Sequence, residues 1–100
     1  MGRLGGTCGI PAYDDRVYLC VESVTARDGR FRPTRIRWDR GRVYPVIVST
    51  LAATYGRRER GNLVFCWDVE LPRKVYRELW WEAGRWFVKR RGGSYDETGA

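Results

Sequence analysis

The sequence predicts an all-β domain, a small antiparallel barrel or roll of five to six strands that ends in a C-terminal hairpin. Three observations carry this. Apolar residues recur with a period of two rather than 3.6 through most of the chain. Glycine-bearing turns break that pattern into short segments. Two of these segments, 73–82 and 85–91, are complementary residue by residue across Ala83-Gly84. At 100 residues and 11.7 kDa the chain holds one domain. With 43% hydrophobic and 31% charged residues its composition is that of a globular protein.

The elements follow in order. Residues 1–13 are glycine-rich and read as a flexible N-terminal arm that can dock through Ile10-Pro11. The single β-barrel-like domain is expected over 14–91, and a disordered tail over 92–100. Val17–Val24 alternates Val17, Leu19 and Val21 against Tyr18, Cys20 and Glu22. Asp28-Gly29 is a hairpin signal. Thr34–Trp38 sets Ile36 and Trp38 against Arg35 and Arg37, and Asp39-Arg40-Gly41 turns the chain. Val43–Thr50 is β-branched enough for burial on both faces, with Pro45 marking an edge or a bulge. Leu51–Tyr55 is ambiguous, because Ala52-Ala53 tolerates a helix. Asn62–Leu71 sets Leu63, Phe65, Trp67, Val69 and Leu71 against Val64, Cys66, Asp68 and Glu70, and Pro72 ends it.

A two-residue turn at Ala83-Gly84 places Trp81 opposite Trp86 and Leu79 opposite Val88 on one face. On the other face it places Glu82 opposite Arg85, Trp80 opposite Phe87 and Glu78 opposite Lys89. Each such apolar or opposite-charge pair contributes roughly 0.2–1 kcal/mol. A three-residue loop would set Glu78 against Val88 and Arg77 against Lys89, so the complementarity favours the shorter turn.

Several chemistries lack their residues. The chain has no histidine, which removes the usual proton shuttle near neutral pH and the Ser-His and Cys-His nucleophile systems. Cys8, Cys20 and Cys66 form no C-x-x-C pair and read as free thiols rather than a metal or redox centre. Asp68 and Glu70 share a strand face but have no third ligand beside them. No phosphate-binding glycine motif sits between a strand and a helix. No catalytic residue, cofactor or metal is therefore expected, and the sequence predicts a binding protein rather than an enzyme. It shows no apolar run long enough for a membrane helix and no secretory leader, so no membrane partner and a cytoplasmic location are expected.

Charge supplies the functional expectation. The net charge is +7, and all the basic residues but Lys74 and Lys89 are arginine, a skew that GC-rich codon usage also produces. Position is more informative than the total. Arg35, Arg37, Arg40 and Arg42 straddle one strand and its turn, a pattern suited to a phosphate stripe. Arg57, Arg58 and Arg60 crowd the loop that follows Tyr55. Trp80 and Phe87, on the strand face that also holds Tyr76, Lys89 and Arg91, have the composition of a base-stacking platform. The competing interpretation is structural: a stabilising cross-strand pair, or rings that lie under the N-terminal arm. The sequence thus predicts nucleic-acid binding through these arginines, with Trp80, Phe87, Lys89 and Arg91 beside them. The alternative is a protein-interaction module that takes an acidic partner on the aromatic face or at a sheet edge.

Two segments resemble a known family. One is Arg37-Trp38-Asp39-Arg40-Gly41-Arg42-Val43-Tyr44-Pro45-Val46, similar to that family's Trp-x-Gly-Arg-x-Tyr-x-Val strand pair. The other is Val75-Tyr76-Arg77-Glu78-Leu79 with Gly84-Arg85-Trp86-Phe87-Val88, similar to its closing hairpin. The family comprises small all-β domains of unknown function, found alone or attached to actinobacterial Y-family (translesion) DNA polymerases. The resemblance spans about residues 16–91. It implies a DNA-repair accessory setting, with nucleic acid or a DNA polymerase as partner, and no particular mechanism.

Overall fold

A computed structural model describes residues 9–90. Seven antiparallel strands form one curled sheet, a half-barrel with no α-helix among the described residues. They are β1 (Arg16–Thr25), β2 (Phe31–Arg37), β3 (Val43–Pro45), β4 (Val48–Tyr55), β5 (Val64–Leu71), β6 (Val75–Glu82) and β7 (Arg85–Lys89). Their spatial order is β3-β2-β1-β7-β6-β5-β4.

The count is seven rather than five or six because the expected 43–50 strand breaks at Val46-Ile47. There the chain changes partner. Val46 N–H donates to the Thr34 carbonyl on β2, and Ile47 N–H donates to the Glu70 carbonyl on β5. The ambiguous 51–55 run is strand, so β4 reaches Tyr55. β2 starts at Phe31 rather than Thr34, because a bulge opposite Glu22/Ser23 lets Pro33 enter the ladder. A second bulge lies between Leu51 and Ala53. β1 divides its length, pairing residues 16–19 with β7 and 20–25 with β2. Bulges and shared strands of this kind raise local twist and curl a sheet.

The C-terminal hairpin has the expected register: Trp81 pairs Trp86, Trp80 pairs Phe87 and Glu82 pairs Arg85. Both turn residues have positive φ, 52° at Ala83 and 80° at Gly84, as a type I′ turn requires. Alanine is strained there, because its Cβ crowds the following carbonyl. Ala83→Asn is expected to stabilise the protein by about 0.5–1 kcal/mol, read as a raised urea midpoint at constant m-value.

Both faces of the sheet bury apolar residues. The concave face holds Ile36, Trp67, Val69, Leu71, Leu79, Trp86 and Val88, with Phe31, Phe65 and Trp81 packed against them. The convex face holds a smaller cluster of Val64, Cys66, Trp80 and Phe87, against which Ile10, Ala53 and Tyr55 pack. The N-terminal segment covers this second cluster, and Pro11 is buried. The docking expected of Ile10-Pro11 is therefore present, whereas residues 1–8 and the tail 92–100 lie outside the described residues.

Candidate functional site

Strand alternation decides which arginines face outward. On β2, Ile36 is fully buried while Arg35 and Arg37 on either side of it are exposed. The register sets Arg37 opposite Cys20 on β1 and Val43 on β3, and Arg35 opposite Glu22 and Pro45. Arg35 Nη1 lies 3.8 Å from Glu22 Oε1, and both side chains are solvent-exposed. A pair of that kind contributes little and leaves the arginine available. Arg40 and Arg42 continue the stripe, exposed, in the turn after β2. That turn is held by the Trp38 N–H, which donates to the Arg42 carbonyl at 2.6 Å, and it places Arg40 at φ 62°. Arg35, Arg37, Arg40 and Arg42 thus form one exposed run along β2 and over its end.

Arg57, Arg58 and Arg60 are also exposed, but they do not join that run. β3 and β4 point the same way, so the 38–42 turn and the 56–63 loop lie at opposite ends of the sheet. By the same alternation of strand direction, the arginine loop shares its end with the β1–β2 turn, bearing Arg27 and Arg30, and with the Ala83-Gly84 turn before Arg85. The loop is shaped by Gly56, whose φ is +80° and where a Cβ would meet the Asn62 carbonyl oxygen. The Arg57 N–H donates to Asn62 Oδ1 at 2.8 Å and ties its two ends.

The aromatic platform requires a correction. Trp80 and Phe87 are 1% and 0% exposed, so neither presents a ring to a base. They pack against each other and under the N-terminal segment, with their planes only 10° apart. Of that strand face, Tyr76 is the ring that stays open, at 64% exposure. Lys89 is exposed but lines a groove of about 810 Å³ together with Asp68, Glu70 and Glu78, apart from the β2 arginines. Asp68 faces Glu78 across β5 and β6, and Glu70 faces Tyr76. Arg91 lies outside the described residues.

What seals the Trp80/Phe87 cluster is Arg16, which the sequence reading did not single out. Its guanidinium lies between the Tyr13 and Phe87 rings, 4.1 and 4.2 Å from their centroids. Its Nε donates to the Pro11 carbonyl at 3.0 Å, and its Nη1 donates to the Tyr18 hydroxyl at 3.2 Å. Nη1 also stands 2.8 Å from Glu82 Oε1. That approach is a charge contact outside hydrogen-bond angles, so Glu82 Oε1 has no aligned donor. Burial works against the charge on Arg16, but the Tyr18 and Glu82 contacts outweigh it and hold the guanidinium pKa above its ordinary value. The stabilisation from a raised pKa is complete below the unfolded value and fades only as pH rises through the folded one. For an arginine that window lies beyond ordinary handling conditions, so a rise in pH does not discharge Arg16. The sequence signal was a basic residue at the start of a strand next to an aromatic-rich segment, which does not by itself predict burial.

Two further cation–ring contacts occur. Arg85 lies 3.9 Å from the centroid of Tyr18, and Arg77 lies 5.0 Å from that of Trp38. Cys20 is exposed and Cys66 is buried, neither in a disulfide, and Cys8 falls outside the described residues. No group of three metal-ligating side chains occurs among the described residues. No helix among them is long and apolar enough to cross a membrane. No protein-family description, no curated protein and no solved structure matches this chain.

Proposed function

We propose that the protein is a non-enzymatic binding module that takes nucleic-acid phosphates on the arginine run of β2 and its following turn. The observation that supports this reading is the alternation at Arg35-Ile36-Arg37. A fully buried isoleucine anchors the strand while the two flanking guanidinium groups stand in solvent, continuous with Arg40 and Arg42. A rigid strand presents these cations at low entropic cost, and arginine pairs bidentately with phosphate. Trp80 and Phe87 are not part of this surface. The resemblance to polymerase-attached domains makes DNA the first substrate to test.

The experiment is a salt titration of binding to single- and double-stranded oligonucleotides. Affinity should fall linearly in a log–log plot, by about 0.7 of slope per phosphate for single strands and about 0.9 for duplex. Arg35→Gln with Arg37→Gln should flatten the slope by roughly 1.4–1.8 and weaken binding at every sequence alike. No binding at low salt, with affinity kept for an acidic protein, would move the function to the protein-interaction class.

A further inference from the structure

A bulge lengthens the arginine line on β2 beyond what strand alternation allows. Ile36 packs into the concave cluster, so strict alternation would turn Arg32, four residues earlier, to the same side. The extra residue opposite Glu22/Ser23 reverses the sense: Phe31 and Pro33 go inward, and Arg32 is exposed. Thr34 Oγ1 fastens the bulge by donating to the Glu22 carbonyl at 3.1 Å. Arg32, Arg35 and Arg37 consequently stand opposite Val24, Glu22 and Cys20, alternate residues of β1. The three arginines are therefore rooted in the convex face at even steps of roughly 7 Å. That is about the step between successive phosphates of an extended single strand.

Building on the phosphate-binding reading above, we propose that the ligand of this face is a single-stranded nucleic acid. It lies along β2 with successive phosphates on Arg32, Arg35 and Arg37, and continues over the following turn to Arg40 and Arg42. Two observations favour a single strand over a duplex. The face is the convex side of a curled sheet, and a duplex is a cylinder. Two convex bodies touch over a short patch, whereas a flexible strand follows the curve. Exposed apolar side chains also flank the arginines. Val24, opposite Arg32, is 49% exposed, and Val43, opposite Arg37, is 41% exposed. They offer unpaired bases an apolar rest that bases stacked inside a duplex do not reach. Glu22 stands in the same line, opposite Arg35 and 3.8 Å from its Nη1. Its carboxylate repels the phosphate that Arg35 takes and so restrains affinity.

Fluorescence anisotropy at low salt, with labelled oligothymidylates of increasing length and a hairpin duplex, tests the proposal. Affinity for the single strand should climb steeply up to about six nucleotides, enough to engage the arginines from Arg32 to Arg42, and slowly beyond. The duplex should bind at least about tenfold more weakly. Arg32→Gln should flatten the single-strand salt slope by about 0.7. Glu22→Gln should tighten binding about two- to fivefold. Both side chains are exposed, so neither change disturbs the core. In a Cys8→Ser chain, bound oligonucleotide should slow alkylation of the exposed Cys20, which lies across from Arg37. No nucleic acid bound at low salt would remove the phosphate-binding reading and this proposal together. A duplex bound as tightly as the single strand, still through Arg35 and Arg37, would leave that reading standing and overturn the proposal. So would single-strand binding that ignores both Arg32→Gln and Glu22→Gln, or that leaves Cys20 equally reactive.

Discussion

Phe31→Ala is expected to cost about 3–4 kcal/mol. Phe31 lies on β2, yet its ring meets Phe65 and Trp67 on β5, Trp81 on β6 and Trp86 on β7, at centroid distances of 5.5, 6.2, 5.2 and 5.9 Å. With Ile36, Val17 and Leu19, it packs the β1–β3 part of the curl onto the β5–β7 part. Truncation removes four ring contacts, two of them edge-to-face and of a kind worth roughly 0.5–1.5 kcal/mol each, and leaves a cavity between indoles. Urea unfolding followed by tryptophan fluorescence should show the midpoint fall. Phe31→Leu should lose less than half as much, because it refills most of the volume. A loss below about 1 kcal/mol for the alanine variant would mean that Phe31 does not bridge the two parts.

Arg16→Met is expected to cost about 3 kcal/mol, for a different reason. The substitution keeps the apolar stem between Tyr13 and Phe87 but removes the charge facing Glu82 and the donors to Pro11 and Tyr18. A carboxylate that is partly buried, with Oε1 shielded from solvent, carries an uncompensated desolvation cost without its cation. Glu82→Leu added to Arg16→Met should recover a good part of the loss, giving a coupling energy of roughly 1–3 kcal/mol in a double-mutant cycle. Additive losses would instead place the value of Arg16 in its ring and carbonyl contacts. The same variant should loosen the segment over Trp80 and Phe87, seen as faster amide exchange at Arg90, whose N–H donates to the Asp15 carbonyl.

Much of the architecture was legible in the sequence. The period-two runs gave β1, β5, β6 and β7 with their faces in the right sense: Phe65, Trp67 and Val69 concave, Val64 and Cys66 convex. Hairpin register was readable because it is set by residues close in sequence, the observed pairs being at most seven apart, through cross-strand pairs and turn geometry. Phe31 was not legible, because it follows Gly29-Arg30 and precedes Pro33, a context that reads as a turn. Only the bulge against Glu22/Ser23 turns it toward the core. The 43–50 run looked like one strand because nothing local marks the exchange of partner at Val46-Ile47.

The candidate site divides in the same way. Alternation alone placed Arg35 and Arg37 on the outside of β2, since Ile36 needed the inside. The fate of Trp80 and Phe87 was not a local matter. Their strand face is covered by Ile10 and Pro11 and locked by Arg16, all more than sixty positions away in sequence. The gathering of the 57–60 arginines with Arg27 and Arg30, rather than with Arg40 and Arg42, likewise followed from strand direction around the curl. By itself the sequence determined which residues share a strand face and which strands can form a hairpin, because those follow from backbone period and short-range pairing. Only the tertiary structure decided which faces are covered and which loops share an end, because burial depends on what distant segment arrives to exclude water.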